Sequence, residues 1–175
     1  MKKKNAHYLV QAAMIAALYA ALTYAAASIG LAYGNIQFRF SEAMTILSVF
    51  TPAAIPGLTI GCFLGNLGSP FGLVDILCGT VATFLAAVMT RWLRNIRLFQ
   101  VPWLAPLPPV LTNALIVGME IAVFLPEGFT WAGFAASAFS VGVGELVMCY
   151  ALGLPLVFML EKTGTARRIF RTEHL

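Results

Sequence analysis

The stretch that decides the fold reads YLVQAAMIAALYAALTYAAASIGL and covers residues 8–31. It has no charged residue, and it is longer than the roughly 20 apolar residues with which a helix crosses a bilayer. Lys2, Lys3 and Lys4 precede it, as in a secretory signal peptide, but the apolar core of a signal peptide is only roughly 7–15 residues long. We therefore expect a transmembrane helix that is not cleaved off.

The remainder of the chain is equally apolar. Hydrophobic residues make up 60% and charged residues 10% of the 175 residues, with a mean hydropathy of +0.86, whereas soluble proteins are about half apolar and about a quarter charged. Proline, glycine and charged residues separate apolar runs at 8–31, 41–51, 53–69, 72–93, 105–126 and 130–160. The sequence predicts an all-α integral membrane bundle of about six transmembrane helices, forming one domain over residues 1–175.

Two of these runs predict irregular helices. Run 41–51 is too short to cross a bilayer alone, so we expect it to be tilted, broken or buried against its neighbours. Run 130–160 is long enough to contain a kink at Gly153 or Pro155.

The basic residues predict the orientation of the bundle. Cytoplasmic segments of membrane proteins are enriched in Lys and Arg. Ten of the eleven basic residues lie in the N-terminal segment, the 91–104 loop or the C-terminal tail, so both termini are predicted to be cytoplasmic. These ten are Lys2, Lys3, Lys4, Arg91, Arg94, Arg97, Lys162, Arg167, Arg168 and Arg171. Arg39 is the exception.

Polar residues within the apolar runs predict a binding site. An ionisable residue at membrane depth is costly and usually functional, and amide and aromatic side chains in the same outward half can hydrogen-bond to a planar ligand or stack on it. The predicted substrate-binding residues are Gln37, Phe38, Arg39, Glu42, Asn66, Asp75, Asn113, Glu120 and Glu145. An ion pair between Arg39 and Glu42, three residues apart, is an alternative role for those two side chains.

Small residues recur at every fourth position, a spacing that lets helix backbones approach closely in a membrane. Two parallel stripes on the first run are predicted to form a partner-docking face: Ala12, Ala16 and Ala20, and Ala13, Ala17 and Ala21. A third stripe, Gly57, Gly61 and Gly65, is predicted to pack within the chain.

Motifs for catalysis or metal binding are not found. The sequence has no glycine-rich phosphate loop, no nucleophile beside a usable histidine and no zinc-type spacing. We therefore predict a protein that is not an enzyme, with no cofactor or metal of its own, and any active transport would use the energy of another chain.

Three segments carry a family resemblance: YGNIQFRFSEA at 33–43, AIPGL at 54–58 and DILCGT at 75–80. They resemble the QueT family of queuosine-precursor transporters, which are similar to the substrate-binding (S) components of energy-coupling factor (ECF) transporters. The resemblance implies a multi-pass protein of a bacterial plasma membrane that captures its ligand from outside. It also implies partners, a shared transmembrane T component and two ABC ATPases that use ATP, and it favours the alanine stripes as the docking face.

The implied ligand is a 7-deazaguanine, such as 7-aminomethyl-7-deazaguanine, or queuine. Such a base has hydrogen-bond donors on its ring edge and, in one form, a cationic arm, and carboxylates can accept from both. Alternatives are an S component for another vitamin-like solute, an integral membrane enzyme, or a scaffold subunit without a ligand.

Overall fold

The computed structural model describes residues 2–32 and 38–170, with side chains from residue 5 onward. Within those ranges the chain is helical and contains no β-strand, so the predicted all-α membrane bundle is confirmed. Its elements in order are α1 (Lys2–Ser28), a 3-10 helix (Phe40–Val49), α2 (Ala54–Asn66), α3 (Leu73–Leu93), α4 (Leu107–Val123), α5 (Trp131–Leu146), a π-helix (Val147–Gly153), α6 (Leu154–Lys162) and α7 (Thr165–Phe170).

Each predicted apolar run coincides with helix. In the described part of the chain, three helical stretches are long and apolar enough to span a membrane, at Asn5–Ser28, Leu73–Leu93 and Trp131–Lys162, the last of which comprises α5, the π-helix and α6. The other three runs form shorter apolar helices. The first helix begins at Lys2, earlier than its apolar run, and the short helix α7 in the C-terminal tail was not predicted.

The last long helix is interrupted where the sequence predicts a kink. The π-helical segment ends at Gly153, and Pro155 follows in the first turn of α6. Proline has no backbone N–H to donate, and a π-helical turn is one way in which a helix accommodates such an interruption.

The 3-10 helix lies in the interior of the bundle. Residues 41–49 are all buried, and the helix packs against α1, α3 and the π-helix. This placement explains how so short a run fits into a membrane protein, because neighbouring helices cover it on all sides. The expectation that run 41–51 is buried against its neighbours is confirmed.

Helices α1 and α2 approach closely along the glycine stripe. A Cβ atom on Gly61 would lie 2.7 Å from the Cβ of Tyr19 and 2.9 Å from the carbonyl oxygen of Ala16. A Cβ atom on Gly57 would lie 2.8 Å from the carbonyl oxygen of Ala12. Only glycine fits these contacts without displacing α1, so the prediction that this stripe packs within the chain is confirmed.

The contact between α1 and α2 largely buries one alanine stripe and leaves the other exposed. Ala12 and Ala16 are buried against α2, with exposed fractions of 8% and 5%, whereas Ala13, Ala17 and Ala21 are exposed. Ala20 is half-buried. Because α2 already occupies Ala12 and Ala16, the docking prediction is narrowed to the exposed stripe of Ala13, Ala17 and Ala21.

The segments predicted to be cytoplasmic meet at one end of the bundle. Tyr8 Oη near the start of α1 lies 3.5 Å from Pro52 O in the turn before α2, and Gln11 Nε2 of α1 donates to Ile169 O of α7 at 2.7 Å. In the 91–104 loop, Arg97 Nη2 lies 2.9 Å from Glu161 Oε1 at the end of α6. The orientation relative to the membrane stays a prediction.

Cysteine labelling tests that orientation. In a variant without the three native cysteines, Asn95→Cys should react only after the inner face becomes accessible, because Asn95 is exposed at the basic end of the bundle. Glu127→Cys, in the exposed turn after α4, is the matched control and should react in intact cells. Modification of residue 95 from outside intact cells would contradict the predicted topology.

Candidate functional site

Eight of the buried polar side chains are linked into one cluster inside the bundle by hydrogen bonds and electrostatic interactions. Its members come from α1, the 3-10 helix and the residue before it, and α2 to α5, and each is at most 5% exposed: Tyr19, Arg39, Glu42, Asn66, Asp75, Asn113, Glu120 and Glu145. We call this set the polar cluster. The short 3-10 helix brings Glu42 into its centre, and the start of α3 contributes Asp75.

Arg39 organises one part of the cluster. Its Nη2 atom lies 3.4 Å from both carboxylate oxygens of Asp75, and its Nη1 atom donates to Asn66 Oδ1 at 3.2 Å. Its Nε atom donates to the carbonyl oxygen of Ala32 at 3.2 Å. The guanidinium fork therefore joins the end of α2 to the first turn of α3.

Asn66 strengthens the same junction from the other side. Its amide nitrogen donates to the backbone carbonyl of Asp75 at 3.0 Å. A Cβ atom on Gly79 would collide with that nitrogen, so the glycine makes room for the amide.

Glu42 and Glu145 form a second part of the cluster. Tyr19 donates a hydrogen bond to Glu42 Oε1, while Glu42 Oε2 has no hydrogen-bond partner among the described residues. The thiol of Cys149 lies 3.6 Å from Glu145 Oε2 and 3.7 Å from the carbonyl oxygen of Glu42. Asn113 lies near both carboxylates, yet its amide nitrogen has no hydrogen-bond partner in the described part of the chain.

Glu120 has both carboxylate oxygens buried, and neither has a hydrogen-bond partner within residues 5–32 and 38–170. The side chain interacts electrostatically with Asp75 and Arg39. Buried polar groups are nearly always hydrogen-bonded in proteins, so this unpaired carboxylate, with the unpaired atoms of Glu42 and Asn113, makes the polar cluster the candidate ligand site.

The polar cluster is rich in acid. Among the described buried residues, Glu42, Asp75, Glu120 and Glu145 are acidic and Arg39 is basic. Arg39 is paired with Asp75, so its charge does not fully compensate the other three acids. Burying an uncompensated charge is costly, and the arrangement therefore favours a ligand with hydrogen-bond donors or a positive charge.

The structure brings together seven of the nine predicted site residues. Phe38 directly precedes Arg39 in the sequence and is half-buried. Its backbone N–H donates to Leu31 O at 2.9 Å. Its role in stacking on the ligand stays a prediction. Gln37 lies outside the described residues. Arg39 forms its ion pair with Asp75, and its interaction with Glu42, the alternative partner, is electrostatic only. Arg39 lies in extended backbone just before the 3-10 helix, so its side chain is not held on the helix face of Glu42.

Sequence reasoning missed Tyr19, which binds Glu42. A signal was present, because Tyr19 and Thr23 follow Ile15 at every fourth position on the face of α1 that packs against α2. A tyrosine on an apolar, closely packed face needs a partner for its hydroxyl group, but the sequence does not say which one.

Comparison with known proteins supports the family resemblance. The profile of the QueT transporter family matches residues 9–162, which confirms the resemblance of segments 33–43, 54–58 and 75–80. A protein described as "Queuosine precursor transporter QueT", from Lactococcus lactis subsp. cremoris, is 38% identical over 85 residues, which are 49% of this chain and 50% of that protein. The chain thus spans about half the length of this relative in the match. No solved structure matches the chain.

Proposed function

Because the chain belongs to the QueT transporter family, we propose that it is the membrane subunit that captures a queuosine precursor from outside the cell. The name of its relative from Lactococcus lactis, a queuosine precursor transporter, supports this substrate. The site would be the polar cluster, which lies inside a helical bundle and offers unpaired carboxylate and amide atoms.

The observation that carries the proposal is the excess of buried, unpaired acceptors. Queuosine precursors are 7-deazaguanine bases, with donor groups on the ring and, in 7-aminomethyl-7-deazaguanine, an ammonium group. Glu42 Oε2 and both oxygens of Glu120 lack partners within the described residues, and each can accept a charge-assisted hydrogen bond. The amide nitrogen of Asn113 also lacks a partner among the described residues, so it can donate to a ring carbonyl.

We infer that transport depends on partner proteins. The sequence has no phosphate-binding loop, and S components of ECF transporters dock on a T component that works with two ABC ATPases. On this proposal the exposed stripe of Ala13, Ala17 and Ala21 on α1 binds the T component, since small residues allow a second helix to approach closely.

Binding measurements test the substrate. Calorimetry on the purified protein should show tighter binding of 7-aminomethyl-7-deazaguanine or queuine than of guanine, because guanine lacks a substituted carbon at position 7. Mass spectrometry should recover the bound ligand unchanged, whereas a membrane enzyme would modify it. A protein that binds none of these bases would contradict the substrate, and another vitamin-like solute would then be the next candidate.

Trp substitutions on α1 test the docking face. Ala17→Trp should reduce co-purification of the T component and leave ligand binding unchanged, because the exposed alanine contacts nothing in the polar cluster. Ala135→Trp, at an exposed position on α5, is the matched control and should preserve both properties.

Ala16→Trp should behave differently from both. Ala16 is buried against Gly61, and overpacking of such a contact costs about 1–3 kcal/mol, so stability and ligand binding should fall together. Equal loss of partner and ligand in Ala17→Trp would mean that the exposed stripe is part of the folded core and not a docking face.

A further inference from the structure

We propose that Glu120 binds the cationic arm of the ligand and so determines the preference for an aminomethyl base over a neutral one. The inference rests on the proposed function, because it assigns one part of the same binding site. Glu120 would bind the arm of the ligand, and the other buried carboxylates would bind its ring.

The contacts of the four buried acids distinguish Glu120 from the other three. Both oxygens of Asp75 face Arg39, one oxygen of Glu42 accepts from Tyr19, and Glu145 lies beside the thiol of Cys149. Glu120 alone among these four has two oxygens without a partner in the described part of the chain. An ammonium group has three donors and no acceptor, which makes a fully free carboxylate its best-matched site.

The charges around Glu120 also favour a cationic ligand group. Glu120 is 5% exposed, and the neighbouring Asp75 carries the same charge, although Arg39 partly compensates it. A buried carboxylate is stable in its ionised form when a cation pairs with it. The neutral ring edge of a base supplies donors but no charge, whereas the ammonium arm supplies both.

The spacing along α4 suits a ligand held at two ends. Asn113 and Glu120 are seven residues apart and therefore lie on one face of α4 with a rise of about 10.5 Å between them. Asn113 lies near Glu42 and Glu145, so that end of the face has the donor and acceptors that a guanine-like edge requires. A bicyclic base with an arm has donors at two separate ends, so one side chain of this face could bind the ring and the other the arm.

Glu120 also borders an open groove on the surface of the bundle. A groove of about 520 Å³ runs between α3 and α4 and is lined by Glu120 together with apolar side chains such as Cys78 and Met119. Five of its eight lining residues are exposed, so the groove opens at the surface of the bundle and leaves space beside Glu120 on that side.

Calorimetry with two ligands of the same ring tests the assignment. The probes are 7-aminomethyl-7-deazaguanine and 7-methyl-7-deazaguanine, which differ by the cationic amine. The wild-type protein should bind the amine more tightly. Glu120→Gln should weaken binding of the amine about 10- to 150-fold, because it removes a charged acceptor, and should change binding of the methyl compound by less than about threefold.

Controls separate this role from a structural one. Glu127→Gln makes the same substitution at an exposed position after α4 and should preserve both affinities, while Glu42→Gln should weaken both ligands alike. If Glu120→Gln lowers stability, Glu120→Asp keeps the charge but retracts it, and it should still lose affinity for the amine selectively. Equal losses for both ligands, or no loss for either, would overturn the assignment of Glu120 and leave the substrate proposal standing. Failure of the wild type to bind either base would instead overturn the proposed function.

Discussion

Replacing Asp75 by Ala should destabilise the protein by about 3–5 kcal/mol, the usual cost of removing one member of a buried ion pair. Arg39 is 4% exposed, and its Nη2 atom lies 3.4 Å from Asp75. Without the carboxylate, the guanidinium would lose its ion-pair partner and remain buried, keeping its hydrogen bonds to the carbonyl of Ala32 and the amide of Asn66 and a weaker electrostatic interaction with Glu42. Thermal and denaturant unfolding of the detergent-solubilised protein measures the effect.

The half-buried ion pair of Arg97 and Glu161, at the other end of the bundle, is the control, because it is much closer to the surface than the pair of Arg39 and Asp75. The side chains of Arg97 and Glu161 are 24% and 28% exposed, and ion pairs near the surface contribute about 0–1 kcal/mol. Glu161→Ala should therefore have little effect. If Asp75→Ala is no more harmful than Glu161→Ala, Arg39 does not depend on Asp75 and the junction of α2 with α3 is held by other contacts.

Further variants show how much of the stability loss comes from the planar guanidinium and how much from the ion pair itself. Arg39→Lys keeps the charge but loses the planar fork that reaches Asp75, Asn66 and Ala32 together, so it should also be destabilising. The double variant Arg39→Met, Asp75→Ala should lose less stability than the sum of the losses of Arg39→Met and Asp75→Ala, because each single variant already breaks the same ion pair. A double variant that loses the sum of the single losses would show that the two side chains act independently.

Replacing Glu42 or Glu145 by Gln should weaken binding of 7-aminomethyl-7-deazaguanine by about five- to 150-fold, or about 1–3 kcal/mol. Glutamine keeps the shape of the side chain but replaces one acceptor oxygen by a donor, which leaves a buried mismatch with the donors of the base. For Glu42 the free atom is Oε2, since Oε1 accepts from Tyr19.

Calorimetry on each variant checks this prediction, with unfolding measured alongside to exclude loss of fold. The set extends to Asp75→Asn and Glu120→Gln, so that each buried acid is tested, and Glu127→Gln serves as the exposed control. Tyr19→Phe removes the donor to Glu42 and should weaken binding indirectly, by leaving that carboxylate less well oriented. Wild-type affinity in all four acid variants would contradict a carboxylate binding site.

The sequence predicted the elements of this protein well because a bilayer imposes strict requirements. Each run of apolar residues must form a helix to satisfy its backbone hydrogen bonds away from water, so the runs coincide with helices. The same argument selected Glu42, Asp75, Glu120 and Glu145, since acids inside apolar runs are rare without a function. The conformation of run 41–51 was less predictable, because periodicity does not distinguish a 3-10 helix from an α-helix in so short a segment.

The sequence did not predict which of the buried side chains pair with each other. Sequence spacing proposed Arg39 with Glu42, but the extended backbone at Arg39 and the position of α3 made Asp75 its partner. Tyr19 gained its role only because α1 and the 3-10 helix pack side by side. Such pairs depend on the rotation and separation of helices that are distant in sequence.

The sequence by itself determined that this protein is a helical membrane protein of the QueT transporter family, with acids in its apolar interior, because lipid solvation constrains every residue of a span. Only the tertiary structure decided which alanines on α1 face α2 and which are exposed. It alone also decided which acids are already paired and which, like Glu120, have both oxygens unpaired within the described residues. The physical reason is that hydrophobicity is a property of each segment, whereas satisfaction of a buried charge is a property of the neighbours that packing places around it.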